Sequence, residues 1–414
     1  MTSSASQEAR RLPGGWRRAR LGDLIREAQP GFASGKRDPR GVVQLRMNNV
    51  TSSGRLDWSA LTRVPVDAAI VDAFGLRPGD VLFNNTNSAE LVGKSALFEG
   101  FDEPVVFSNH FTRLRTDETQ LVPDFLAAWF QDKWNSGLFR EICHRWVGQA
   151  AVQRDRLVAL EIVLPDIHEQ RRVAAAVRSQ VAEVERARAA AKAQLGIANA
   201  LPVAYIRSVF EESRTRAWPT RRLADECTLL PSRSIASDGD TVVLAITTAC
   251  LTETGFRPEG VKPARMSAAS AAECIVRRGE VLVARSNTTE LVGRACLFDG
   301  NPPGAVASDL TIRVETGTKI YAPFLAAFLS FLYVTGYWRE RSGGASGSMK
   351  KITRSQLASQ AILVPELEVQ KRVCAELSER LSSVERIKRT VDTQLRTMAA
   401  LREALLRRAF SGEA

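Results

Sequence analysis

GDVLFNNTNSAELVGKSALFEG at 79–100 and GEVLVARSNTTELVGRACLFDG at 279–300 are one pattern written twice, 200 residues apart. Eleven of the 22 positions are identical, among them Gly79/Gly279, Asn87/Asn287, Gly93/Gly293 and Phe98/Phe298. Outward from this block, Phe125-Leu126-Ala127-Ala128 matches Phe324-Leu325-Ala326-Ala327. Pro165, Gln170, Arg172 and Val173 match Pro365, Gln370, Arg372 and Val373, and Val184-Glu185-Arg186 matches Val384-Glu385-Arg386. Trp16 and Trp218 open the two copies. So many blocks at spacings of about 200 mark a duplicated domain pair, because the period is far too long for a solenoid.

Each copy has two textures. The first mixes short apolar runs with turn signals: Val81-Leu82-Phe83, Val105-Val106-Phe107 and Phe111 to Leu114 in one copy, Val281-Leu282-Val283 and Ile362-Leu363-Val364 in the other. The blocks behind Pro123 and Pro323 read as helices, with proline where a first turn tolerates it. This predicts an α/β (α+β) globular domain in each copy. The second texture is a single apolar stripe: Val173, Val177, Val181, Val184, Ala187, Ala191, Leu195 and Ala198, repeated as Val373, Leu377, Leu381, Val384, Ile387, Val391, Leu395 and Met398. A helix of about 40 residues spans roughly 60 Å and cannot bury such a stripe alone. The economical partner is the other helix, in an antiparallel coiled coil related by a pseudo-two-fold axis. Gly196 and Pro202 are expected to interrupt the last turns of the first helix. The predicted domains are a flexible N-terminus at 1–13, globular domains at 14–165 and 214–365, long helices at 166–213 and 366–410, and a tail at 411–414.

The 414 residues carry a net charge of +11, and both copies are basic. A basic balance favours a polyanionic partner, though a solvated basic surface has the same composition. The six cysteines form no CxxC pair, and the N-terminal residues lack an apolar signal region, so a reducing cytoplasm is the expected location. The uncharged run from Ile320 to Trp338 reads as a buried core helix rather than a membrane span, since Pro323 interrupts it and the matching run of copy one carries Asp132 and Lys133.

Catalytic chemistry finds little support. The only histidines, His110, His144 and His168, have no histidine counterparts in the other copy, and no GxSxG, HExxH or phosphate-loop motif occurs. Asn301-Pro302-Pro303-Gly304 lacks the aromatic residue that stacks a flipped base in an amino-methyltransferase. Pro165-Asp166…Glu169 has too short a spacing for a nuclease and reads as the acidic first turn of a helix. The remaining polar stretches suit recognition. Asn84, Asn85, Asn87, Ser88 and Lys94 lie in a stretch whose repeat, Ala284 to Arg294, carries Arg285, Ser286, Asn287, Thr288 and Arg294. Asn pairs with adenine edges and Arg with guanine edges, while Ser, Thr and Lys suit phosphates. Asn85 becomes Arg285 while the frame stays fixed, as base readers would. The same residues also suit a polar hairpin turn, above all the unchanged Asn87/Asn287. A second candidate stretch is Gly343 to Lys351, with Ser346, Lys350 and Lys351, matched by Val147 to Ala151 with Gln149.

Taken together, these residues resemble the specificity subunits of type I restriction-modification systems. The resemblance runs from Trp16 to Phe410. Its most specific elements are VLPDIHEQRRV at 163–173, LVPELEVQKRV at 363–373, LPVAYIRSVF at 201–210 and LREALLRRAFSGE at 401–413. Copy two departs from the family's usual Pro-x-x-Glu-Gln by carrying Val369 where copy one has Glu169. The resemblance implies two target-recognition domains, each reading half of a bipartite, asymmetric double-stranded DNA site. It implies spacer helices that set the unread gap and dock two methyltransferase subunits, at positions such as Gln170, Arg172, Val173, Val184, Leu195 and Phe210 and their repeats Gln370, Arg372, Val373, Val384, Leu395 and Phe410. S-adenosylmethionine, ATP and Mg are then held by partner methyltransferase and translocating restriction subunits, with no cofactor, metal or catalytic residue on this chain. Another defence complex using the same subunit type and, on different chemistry, a self-contained DNA-modifying enzyme are the alternatives.

Overall fold

A computed structural model describes residues 14–235, 239–253, 255–346 and 349–411. The segment 1–13 and all but Ser411 of the tail lie outside the described residues. The chain divides into two units, Met1–Ala190 with Gln394–Ala414, and Ala191–Thr393.

In unit 1, a four-stranded antiparallel sheet has the order Ile25–Pro30, Phe111–Thr116, Val81–Asn84, Ser95–Leu97. A second sheet pairs Val42–Leu45 antiparallel with Thr62–Val64 and parallel with Val105–Phe107. The apolar run at Val81 follows from its place between two cores. Successive side chains of a strand point to opposite faces. Val81 and Phe83 therefore enter the core under the helix Pro123–Asn135, while Leu82 enters the core shared with Val43, Leu45 and Phe107. Gly93 holds φ +88 in the turn after this strand, and an added Cβ would run into Phe139. That double demand fixes glycine there.

Unit 2 repeats this plan. Cys227–Leu230, Thr311–Thr316, Val281–Ala284 and Ala295–Leu297 form the four-stranded sheet in the same order. Thr241–Ile246 pairs antiparallel with Lys262–Met266 and parallel with Val306–Ala307. Val281 and Val283 enter one core, Leu282 and Ala284 another. Gly293, at φ +84, meets Trp338 as Gly93 meets Phe139. The uncharged run forms the helix Ala322–Val334, whose Phe324, Leu325, Phe328 and Leu329 are buried core residues. No helix among the described residues is long and apolar enough to cross a membrane.

The long helices are Ile167–Glu211 and Leu367–Ser411. In unit 1, Val173, Ala174 and Val177 share a core with Leu406, and Phe410 packs edge-on against Phe125. In unit 2, Val373 and Leu377 share a core with Ile206, Val209 and Phe210, and the Arg380 guanidinium lies over the Tyr205 ring. In each unit the start of one helix meets the end of the other, so the pairing is antiparallel.

Two expectations need correction. The first helix runs without a break through Gly196 and Pro202. Proline in a helix costs about 3 kcal/mol, and burial of Pro202 together with Ile206, Val209 and Phe210 offsets it. The stripe also shifts phase. Ala187 and Ile387 are exposed, whereas Arg188 and Lys388 are half-buried. The stripe steps from Val184 to Arg188 and then to Ala191, steps of four and three that fit a heptad better than Val184 to Ala187. Both copies therefore place one basic residue in the seam, beside Glu185 and Glu385 respectively.

Candidate nucleic-acid interface

After Val81–Asn84 the chain leaves the four-stranded sheet. Thr86–Asn87 joins a hairpin made of His144–Trp146 and Gln149–Ala151, with Asn87 opposite Ala150 and Thr86 opposite Ala151. In unit 2, Ser286–Asn287 joins Gly343–Ser346 and Met349–Lys351, with Asn287 opposite Lys350 and Ser286 opposite Lys351. The two candidate stretches read separately in the sequence thus form one small sheet in each copy.

The candidates within that sheet divide by exposure. Gln149, Thr288 and Lys351 are exposed, and Asn85, Ser88, Arg285 and Lys350 are half-buried. Asn85 Nδ2 donates to Thr112 Oγ1 at 3.1 Å. Arg285 Nη1 donates to the Asp309 carbonyl at 3.2 Å, while its Nε has no hydrogen-bond partner. Asn87 and Asn287 serve the turn: each accepts from the next backbone N–H, at 2.9 Å in both copies. The side chain of Ser346 lies outside the described residues, as do Gly347 and Ser348.

Four candidates are turned inward. Asn84 is fully buried and donates to the carbonyls of His110 at 2.9 Å and Thr86 at 3.2 Å. Lys94 is buried, donates to the carbonyls of Val50 and Met47, and is lowered from its ordinary pKa by burial. Ser286 is buried. Arg294 is held by the Tyr333 hydroxyl at 2.9 Å and by Glu253 at 3.1 Å. The polar atoms of Asn84, Lys94 and Arg294 are held by other groups of the protein, and Ser286 is buried.

Trp146, Arg145 and His144, outside the stretches named in the sequence, are exposed beside them, as are Val147 and Met349 from those stretches. The signal was present: Trp-Val before a glycine, between strand-forming residues, is a hairpin tip with its apolar residues outward. The electrostatics are basic in both copies. The Glu90 carboxyl is held below its ordinary value by hydrogen bonds from its own N–H and from Ser88, and by the charges of Arg140 and Arg145. In unit 2, burial and the positive charges of Arg285 and Arg313 lower the Arg354 guanidinium. Such crowding of like charge is relieved by an anion.

The helix residues separate in the same way. Gln170 is buried. Its Nε2 donates to the carbonyls of Gln120 and Pro165 at 2.9 and 3.0 Å, and its Oε1 accepts from Val122 N–H at 2.9 Å. Gln370 does the same with Lys319, Pro365 and Tyr321. Val173, Val184, Phe210, Val373 and Val384 are buried too. These side chains are spent inside the chain and are not a docking surface. Leu195, Leu395 and Phe410 are half-buried, and Arg172 and Arg372 are exposed. Asp166 accepts from the N–H groups of His168 and Glu169, which lower its carboxyl below the ordinary value; it caps a helix. Each unit also has a cleft between the helices and its globular part, of about 420 Å³ in unit 1 and 610 Å³ in unit 2. Ala127, Val177, Val181 and Leu406 line the first, and the matching Ala326, Leu377, Leu381 and Ile206 the second.

No family model matches this chain. It is 27% identical over 165 residues to the putative type I restriction enzyme MjaX specificity subunit of Methanocaldococcus jannaschii, covering 39% of each protein. It is 22% identical over 206 residues to the type I restriction enzyme StySPI specificity subunit of Salmonella potsdam, covering 49% of this chain and 44% of that one. The matches span about two fifths of the length of these relatives. The HsdS subunit from Thermoanaerobacter tengcongensis superposes with a TM-score of 0.61 at 20% identity, over 98% of this chain and 99% of that one. The fold is that of a type I specificity subunit. A chain from a structure describing complex assembly and conformational transition of the type I R-M system agrees better still, with a TM-score of 0.72 at 20% identity over 97% of this chain and 98% of that one. The curated relatives carry the names of type I specificity subunits, and the fold, helices included, follows that of the solved HsdS subunit.

Proposed function

We propose that this chain is the non-catalytic DNA-recognition subunit of a type I restriction-modification complex. One observation carries the reading. The two copies keep the same strand order and the same hairpin pairing, yet the residues at matching hairpin positions differ: exposed Gln149, buried Ala150 and half-buried Ala151 in copy one are Met349, Lys350 and Lys351 in copy two. A constant frame with exchanged surface chemistry suits two readers of two different half-sites. Arg285, half-buried where copy one has the half-buried Asn85, exchanges an amide for a guanidinium at one matching position. The matching clefts and helix faces suit two copies of one methyltransferase subunit, and restriction subunits complete the complex. S-adenosylmethionine, ATP and Mg belong to those partners.

The test is methyl transfer from S-adenosylmethionine to duplex DNA, measured for the chain, for the partner methyltransferase and for the two combined. Transfer only in the combination is expected, with DNA affinity falling steeply as salt rises. Transfer by the lone chain overturns the reading.

A further inference from the structure

Val147 is wholly exposed, and Trp146 beside it is 55% exposed. The hairpin pushes them outward: Gly148, at φ +77, closes a two-residue turn between Trp146 and Gln149. The His144 ring stands edge-on to the indole at 4.7 Å, which props it in place. The strand behind them pairs with Asn87, so this apolar tip is continuous with the candidate interface. Arg145 lies next to Trp146 and donates to the Arg140 carbonyl at 2.8 Å. An apolar tip beside the exposed Arg140 and Arg145 fits the DNA major groove. In the DNA major groove, phosphates line the rims, and the thymine 5-methyl is the apolar group on the floor. At the same register copy two has Ser346, followed by Met349, Lys350 and Lys351, so the aromatic tip belongs to copy one alone.

We propose that Trp146 and Val147 read a thymine through its 5-methyl group in the half-site bound by copy one. This rests on the DNA-recognition reading above. Copy two, with lysines on the paired strand, reads its half by polar contacts.

The experiment uses the full-length chain with any subunits that co-purify. Duplexes are first selected from a randomised pool. Affinity is then measured for the selected duplex and for versions in which each thymine in turn is replaced by uracil, which lacks only the methyl. Wild type, Trp146→Ala and Val147→Ser are compared. One uracil, in one half-site, is expected to weaken wild type about fourfold, the worth of a single buried methyl group. At least one variant loses that sensitivity, and uracils in the other half-site affect all three proteins equally. Retained selection of the other half-sequence shows that the variants are folded. The proposal is overturned if no uracil weakens wild type, or if both variants stay as sensitive as wild type. Failure of wild type to select any duplex instead overturns the DNA-recognition reading on which it rests.

Discussion

Gln170 holds three backbone groups with one amide, and Gln370 repeats the arrangement in the other copy. Gln170→Ala is therefore expected to cost about 2–4 kcal/mol, from buried donors and acceptors left unpaired at roughly 1–3 kcal/mol each. Chemical denaturation measures this, and a loss under 0.5 kcal/mol, the usual range for a surface change, contradicts it. Lys94 makes a pH-dependent prediction. Burial lowers its folded pKa, so between that value and the ordinary lysine range the native chain is neutral while the unfolded chain still holds a proton. The unfolded state binds more protons there, and stability rises with pH. Relative to Lys94→Met, wild type should gain stability as pH rises towards the ordinary lysine pKa of about 10.4; a difference that stays flat over that rise removes the claim. These residues also mark where sequence reading stopped. Asn84 and Lys94 were legible as polar residues in a loop, but nothing local distinguishes an amide facing DNA from one facing the His110 carbonyl. That distinction is made by the turn at His110, 26 residues further along the chain.

At the scale of elements, the repeat gave away most of the architecture. A strand buried on both faces reads as a continuous apolar run, and Val81 and Val281 follow that rule. The helix stripe was legible in length and direction but not in phase. Ala187 and Ile387 satisfied the apolar count, while the seam takes Arg188 and Lys388, whose long stems cover apolar surface as their heads reach Glu185 and Glu385. Binary patterning cannot assign a basic residue to a seam. Closure of unit 1 by the last turns of the second helix makes a sharper prediction. Leu406 is buried in the core with Phe125, Leu126 and Val177. Leu406→Ala should cost about 2–5 kcal/mol, the usual range for a buried leucine. Hydrogen exchange should place the loss in residues 121–130 and 173–177, not in the matching helices of unit 2. Equal loss of protection in both units contradicts this assignment.

For the whole molecule, the duplication matters because each long helix begins in one unit and ends in the other. If the helices set the spacing between two DNA readers, their length and the unread gap are one quantity. A seven-residue insertion keeps the apolar stripe nearly in phase, with a drift of about 20°. It lengthens a helix by about 10.5 Å, equal to roughly three base pairs at 3.4 Å each. Both helices must change together, or the antiparallel seam loses its register. The points where the units divide, between Ala190 and Ala191 and between Thr393 and Gln394, leave every core contact described above untouched. Selection from randomised duplexes, or mapping of methylated adenines in cells carrying the full system, should then return the same two half-sequences around a gap longer by about three base pairs. Altered half-sequences with an unchanged gap would remove the spacer role from the helices and return it to the globular parts.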